Sequence, residues 1–170
     1  MVTRYASSMD LSAIGNVYCL SWKAAYKDII PGEYLDSLTP ESCAPKTINP
    51  GHNLVVEDGG AVVGLANIGP ARDRQMDGWG ELRALYLLPD YWGKGFGKAL
   101  FRYATNELSG MGYRGFYLWV LRDNLRARRF YGKMGMRSLG EERRIRILDT
   151  DITEIRYEYC FEPSKARRKR

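Results

Sequence analysis

The sequence predicts an α/β fold of the α+β kind: a mixed sheet of about six to seven strands with helices on both faces. Three stretches carry that expectation. Helical spacing of apolar residues runs from Asp10 to Ala25. A glycine-rich turn joins an apolar strand to a helix within "LRALYLLPDYWGKGFGKAL", from Leu82 to Leu100. Two alternating stretches close the chain. A strand–helix–strand crossover is the natural reading of the centre.

Leu11, Ile14, Val17, Tyr18, Trp22 and Ala25 fall three or four apart, on one helical face, with Asp10 as the N-cap. "IIPGEYLDSL" restarts a short helix with Pro31 near its first turn, and Pro40 and Pro45 punctuate a third short piece. "NLVVE", "DGG" and "AVVGLANIG" read as a hairpin, because Asp58, Gly59 and Gly60 accept the positive φ that its turn needs. "RDRQMDGWG" is a polar loop between strands. Glu81 to Leu88 is the next strand, with Leu82, Ala84, Tyr86 and Leu88 on one face. Phe96, Ala99, Leu100, Tyr103, Ala104 and Leu108 mark a helix that ends in "GMGY", and "GFYLWVL" is a buried strand. "NLRARRFYGKMGM" is a further helix closed by Gly135. "RRIRILD" and "TEIRYEYCF" are alternating strands joined near Thr150 and Asp151.

A chain of 170 residues suits one domain, here 1–163, followed by a short basic tail, 164–170, expected to be a solvated, mobile end. Lys165, Arg167, Arg168, Lys169 and Arg170 supply five of the net charge of +6, which leaves the body near neutral. The basic balance therefore does not argue for a nucleic-acid surface, although the tail leaves open a weak contact with RNA or an acidic partner. The opening "MVTRYASSMD" has no apolar signal-peptide core, and no apolar run approaches the roughly 20 residues of a membrane helix. The expectation is a cytoplasmic protein with no membrane partner. Cys19, Cys43 and Cys160 are widely spaced and His52 is the single histidine, so no metal site is expected and the thiols read as reduced.

The glycine turn carries the chemistry. A strand that passes directly into a helix leaves about four N–H groups without partners, and the helix dipole adds positive potential there. Glycine lets an anion approach that backbone with no Cβ in the way. Gly93, Gly95 and Gly97, flanked by Lys94 and Lys98, therefore suggest a diphosphate held on main-chain nitrogens. The Rossmann pattern fails at Lys98, where it needs glycine. The P-loop pattern fails at Trp92 and at Ala99.

"LYLLPDYWGKGFGKAL" resembles motif A of the GCN5-related N-acetyltransferase (GNAT) superfamily, whose usual form is Q/R-x-x-G-x-G/A. "NLRARRFYGKMGM" resembles motif B, through Asn124, Ala127, Phe130, Tyr131, Gly135 and Met136, and "SWKAAYKDIIPGEYLDSL" resembles the first helical pair of small bacterial members. The likeness covers nearly the whole chain in order. One position departs: Trp92 stands where Gln or Arg is usual, so a different group would have to steady the loop.

The resemblance implies a mostly antiparallel sheet whose central pair splays, with acetyl-CoA as acyl donor lying in the gap and no metal. By position, Leu85, Tyr86 and Leu87 would meet the pantetheine arm, and Gly93, Lys94, Gly95, Phe96, Gly97 and Lys98 the diphosphate. Asn124 would bond near the pantetheine or position the loop, and Arg126, Arg129 or Lys133 would meet the 3′-phosphate. Tyr131 takes the place of the general acid that protonates the leaving sulfur, against the plainer reading that it belongs to the apolar stripe beside Phe130. Glu81, or a water chain, is the candidate base; burial would raise the Glu81 pKa, against the reading of a strand-edge carboxylate in water. Trp119 occupies the position where some relatives carry a glutamate on the next strand. The N–H of Leu87 would hold the oxyanion.

The implied activity is that of an acyltransferase moving acetyl to a primary amine, on a small molecule or a protein, by direct attack in a ternary complex. The acceptor pocket is expected between the first helices, the Arg72–Gly80 loop and the last hairpin, lined by Trp22, Tyr26, Tyr34, Trp79 and Trp119. A CoA- or partner-binding domain without catalysis is the alternative, and a homodimer is a partner that the family allows.

Overall fold

The computed structural model describes residues 1–161. The basic tail at 164–170 and the last two residues of the expected domain lie outside them. The strands are β1 (Val2–Tyr5), β2 (Asn53–Asp58), β3 (Ala61–Pro70), β4 (Gly80–Leu87), β5 (Gly115–Leu121), β6 (Arg137–Ile147) and β7 (Thr150–Cys160). They form one sheet in the order β1-β2-β3-β4-β5-β7-β6. Every neighbouring pair is antiparallel except β4 and β5, which the crossover makes parallel. The helices are α1 (Leu11–Ala25), α2 (Gly32–Ser37), α3 (Pro40–Cys43), α4 (Phe96–Gly110) and α5 (Leu125–Lys133). Among the described residues, no helix is long and apolar enough to cross a membrane.

The helices divide the core between the two sheet faces. α4 buries Phe96, Leu100, Phe101, Ala104 and Leu108 against Leu54, Ile68, Leu82, Phe116 and Leu118. α1 lays Ile14 and Val17 on Val55 and Leu65 from the other side. Burial of each large apolar side chain contributes about 1.5–3 kcal/mol, so these two layers hold the molecule together. The β2–β3 turn has Gly59 at φ 55° and Gly60 at φ 84°, as the "DGG" stretch predicts.

Four local readings are corrected by tertiary contacts. β1 is too short to announce itself. It is held at the sheet edge by pairing with β2 and by Arg4, whose guanidinium bonds Glu57 at 2.8 Å and both Asp10 oxygens at 2.8 and 2.9 Å. Asp10 precedes α1, but its carboxylate faces backward and accepts from the Ser7 N–H at 2.7 Å instead of capping the helix. Arg4 holds that carboxyl well below the usual range. The last hairpin turns at Leu148, φ 52°, before Thr150, and β6 begins earlier than expected, at Arg137.

The fourth correction bears on the site. The register of β4 against β3 shifts by one residue between Asn67–Ala84 and Ile68–Leu82, leaving Arg83 as a bulge. The bulge reverses the alternation. Leu82, Leu85 and Leu87 face α4, while Ala84 and Tyr86 face α1, so the four residues assigned to one face are divided between two.

Candidate functional site

β4 and β5 pair at Gly80–Phe116 and Glu81–Tyr117 and then part. β4 continues along β3 while β5 continues along β7, and each satisfies its backbone on the far side. The gap between them is a cleft of about 730 Å³, with Leu82–Leu87 as one wall and Leu118, Trp119 and Val120 as the other. Leu88 N–H donates to Val63 O at 2.9 Å, toward β3. Peptide groups alternate along a strand, so Leu87 N–H, and Leu85 N–H two residues before it, face the cleft. The Leu87 carbonyl is already taken by the Ser21 hydroxyl at 2.7 Å and the Trp92 indole N–H at 3.0 Å.

The glycine turn lies beyond the end of this wall. Gly93 and Gly95 have φ of 74° and 91°, and a Cβ on either would stand in open space. What glycine supplies here is the left-handed backbone and unobstructed access. Gly95 starts α4, and the helix ladder begins with Ala99 N–H on Gly95 O at 3.0 Å, so the amides of Phe96, Gly97 and Lys98 have no helical partner. Gly97 serves packing: a Cβ would come 3.1 Å from Leu87 Cδ1. Trp92 itself ties the turn to the strand through Leu87, so no other group is needed where the motif departs from its usual form. Gly93, Gly95, Gly97 and Lys98 line the cleft. Lys94 leans over the Tyr91 ring at 5.8 Å, and Phe96 turns into the core, 7% exposed. Phe96 therefore has only main chain to offer.

α5 supplies a further wall. Asn124 Oδ1 accepts the Ala127 N–H at 3.1 Å and caps the helix at the edge of the cleft. Tyr131 packs against Phe101 and Phe130 and also lines the cleft, 8% exposed, so the stripe reading and the cleft reading hold together. Burial pushes its phenol above the ordinary value, with Arg126 opposing. It is a neutral hydrogen-bond donor at physiological pH.

Glu81 is placed differently from its expected role. It is 2% exposed and accepts from the Arg72 backbone N–H at 3.2 Å, Nε at 2.9 Å and Nη2 at 2.6 Å. Burial pushes its pKa up, as expected, but the hydrogen bonds and charge of Arg72 outweigh it and hold the carboxyl below its ordinary value. Glu81 is not among the residues lining the cleft, whereas Tyr131 is. Of the aromatic candidates, Tyr26 and Trp119 line it. Trp22 and Tyr34 pack beside Ile30 and Leu35. Trp79 lies where β4 and β5 are still paired, close enough to fill the space of a Cβ on Gly115.

Arg126, Arg129 and Lys133 all border the cleft. Lys98 and Lys133 also border an adjoining hollow of about 370 Å³ that includes Arg102. The sequence reading missed Arg102. Its signal was the spacing of four from Lys98, which stacks both cations on one face of α4. It also missed Ser21, whose bond to Leu87 no local pattern announces.

Residues 17–136 match the model of the acetyltransferase (GNAT) family. An uncharacterized N-acetyltransferase of Bacillus subtilis, YuaI, is 34% identical over 128 residues, 73% of this chain and 74% of its own. Among solved structures, the PaiA N-acetyltransferase of Thermoplasma acidophilum, in complex with coenzyme A, superposes with a TM-score of 0.76 at 24% identity, covering 94% of this chain and 98% of that one. YncA of Salmonella typhimurium, solved with acetyl-CoA, gives 0.71 at 18% identity, covering 98% and 96%.

Proposed function

We propose, from the premise that this chain belongs to the acetyltransferase (GNAT) family, a division of labour among its residues in acetyl transfer. The protein is an acetyltransferase that uses acetyl-CoA as donor and an amine as acceptor. The fit to that donor rests on this chain's own atoms. The free amides at the start of α4 and in the Gly93–Gly95 turn suit a diphosphate, with Lys98 beside them. Leu85 presents unpaired backbone to the cleft, which suits an amide of a pantetheine arm along the strand edge, while the Leu87 N–H is left for the acetyl oxygen. Lys98, Arg102 and Lys133 suit the 3′-phosphate.

When bound, acetyl-CoA supplies an activated thioester. The acceptor nitrogen forms its bond to the acetyl carbon as the carbon–sulfur bond breaks. Leu87 N–H, fixed in the cleft wall, receives the negative charge that builds on the acetyl oxygen. Tyr131 gives its hydroxyl proton to the departing sulfur and regains one from water. The amine loses its proton to water, because Glu81 is engaged by Arg72 and does not line the cleft.

The observation that carries this reading is the neutral Tyr131 phenol, borne by α5 and lining the cleft that also ends at the glycine-started helix. Free-thiol release from acetyl-CoA across an amine panel tests it, with Tyr131→Phe beside the wild type. Release that Tyr131→Phe leaves unchanged removes Tyr131 from the chemistry. No release with any amine removes the catalytic reading.

A further inference from the structure

The residue that β4 carries in excess of β3 is Arg83, and the fold has a seat for it. The bulge takes its side chain out of the strand alternation. Gly69 lies beneath, where a Cβ would meet the guanidinium at 2.8–3.0 Å. Nη2 donates to the Pro70 carbonyl at 2.9 Å. Glu81 Oε2 is 3.8 Å from Arg83 Nε, too far for a hydrogen bond, and this buried Nε has no partner among the described residues. Arg83 is thus a guanidinium tethered through Nη2 and ion-paired with Glu81, its buried Nε out of a ligand's reach and its Nη1 without a hydrogen-bond partner among the described residues. It lines the cleft two residues past the last β4–β5 pair, at the end away from the glycine turn.

Charge around it points one way. Among the described residues the charged side chains lining the cleft are all cations: Arg83, Lys98, Arg126, Arg129 and Lys133. The last four stand on α4 and α5, on the donor's side. The carboxylates on β4, β6 and β7 are each paired with an arginine. Glu81 is held by Arg72, and Glu154 by Arg143 at 2.6 Å. Glu141, Glu158 and Asp73 surround Arg156. An acceptor with several ammonium groups would find no free anion in this cleft. A carboxylate would find the planar donor fork that matches it.

We propose that the acceptor is a small amine carrying a carboxylate, and that Arg83 binds that carboxylate and so aims the amine along the cleft. This rests on the acetyl-transfer reading above. The test measures thiol release from acetyl-CoA with glycine, β-alanine and γ-aminobutyrate, each beside its amide, and with putrescine and spermidine. The acids are expected to exceed the amides and polyamines in kcat/KM by about tenfold or more, the worth of one charged hydrogen-bonded pair. In Arg83→Gln the acid-over-amide preference should fall by about the same factor, through KM for the acid, and Arg83→Lys should restore part of it. If Arg83→Gln does not fold, the preference measured in Arg83→Lys carries the test alone. A wild type that prefers amides or polyamines, or substitutions that leave the preference intact, overturns the inference and leaves acetyl transfer standing. Release with no amine, while acetyl-CoA still binds, overturns both.

Discussion

Trp92 and Arg126 meet across the open end of the cleft, the guanidinium carbon 3.3 Å from the centre of the indole ring. Trp92 follows β4 and Arg126 stands at the start of α5, so the stack links two walls that share no strand pairing at this end. The indole is itself anchored to Leu87 O, which makes it a fixed platform for the cation. Desolvation in this setting pushes the Arg126 pKa down.

Replacing either partner, as Trp92→Leu or Arg126→Leu, should weaken acetyl-CoA binding about fivefold, within the range of one partly desolvated cation–π contact. The double substitution should cost less than the two losses added, because each single change already breaks the stack. Titration calorimetry on the four proteins checks this. Strict additivity would mean that the residues act separately.

Tyr131→Phe should lower kcat by about 100-fold or more, the usual contribution of a positioned acid, and change acetyl-CoA affinity little. Burial holds the phenol above its ordinary value, so the wild-type rate should show no alkaline decline from Tyr131 below about pH 10. A pH–rate profile of kcat is the check, and a decline from Tyr131 beginning near neutrality would contradict the assignment.

Gly95→Ala puts a Cβ on a residue at φ 91° and should destabilise the start of α4 by about 1–2 kcal/mol. It also sets a methyl group beside the amides that an anion would approach. Thermal denaturation with and without CoA separates the two effects: the ligand-induced rise in Tm should shrink by more than strain alone explains.

Glu81→Gln tests a structural role against a chemical one. Losing the ionic part of the buried bonds to Arg72 should cost about 1–3 kcal/mol of stability at pH 7. The sign with pH follows from a folded pKa lower than the unfolded one. The contribution of Glu81 is whole above its unfolded value near 4.5, shrinks below that, and is gone once the pH passes the folded value. Urea titrations between pH 7 and 3 should therefore show a smaller acid loss in Glu81→Gln than in the wild type. Turnover per folded molecule should stay within about threefold, far short of the loss expected from deleting a general base.

Much of this is legible in the sequence, wherever the cause is local. The "DGG" turn, the helices from Asp10 and Phe96, and the Gly93–Gly97 start of α4 depend on backbone preferences that act within a few residues. The placing of Tyr131 and Asn124 on one short helix was legible for the same reason, since spacing along a helix decides which side chains share a face.

Local sequence was therefore enough for the order of elements after β1, the glycine turn and the helix that bears the phenol. Long-range contacts set the rest: β4 slips at Arg83, Glu81 is locked by Arg72, Trp79 sits at the paired end, and Trp92 reaches Leu87 and Arg126. The reason is competition between distant partners. β4 and β5 each choose a different neighbour for their backbone hydrogen bonds, and that choice opens the cleft, while the bulge against β3 redistributes the β4 side chains.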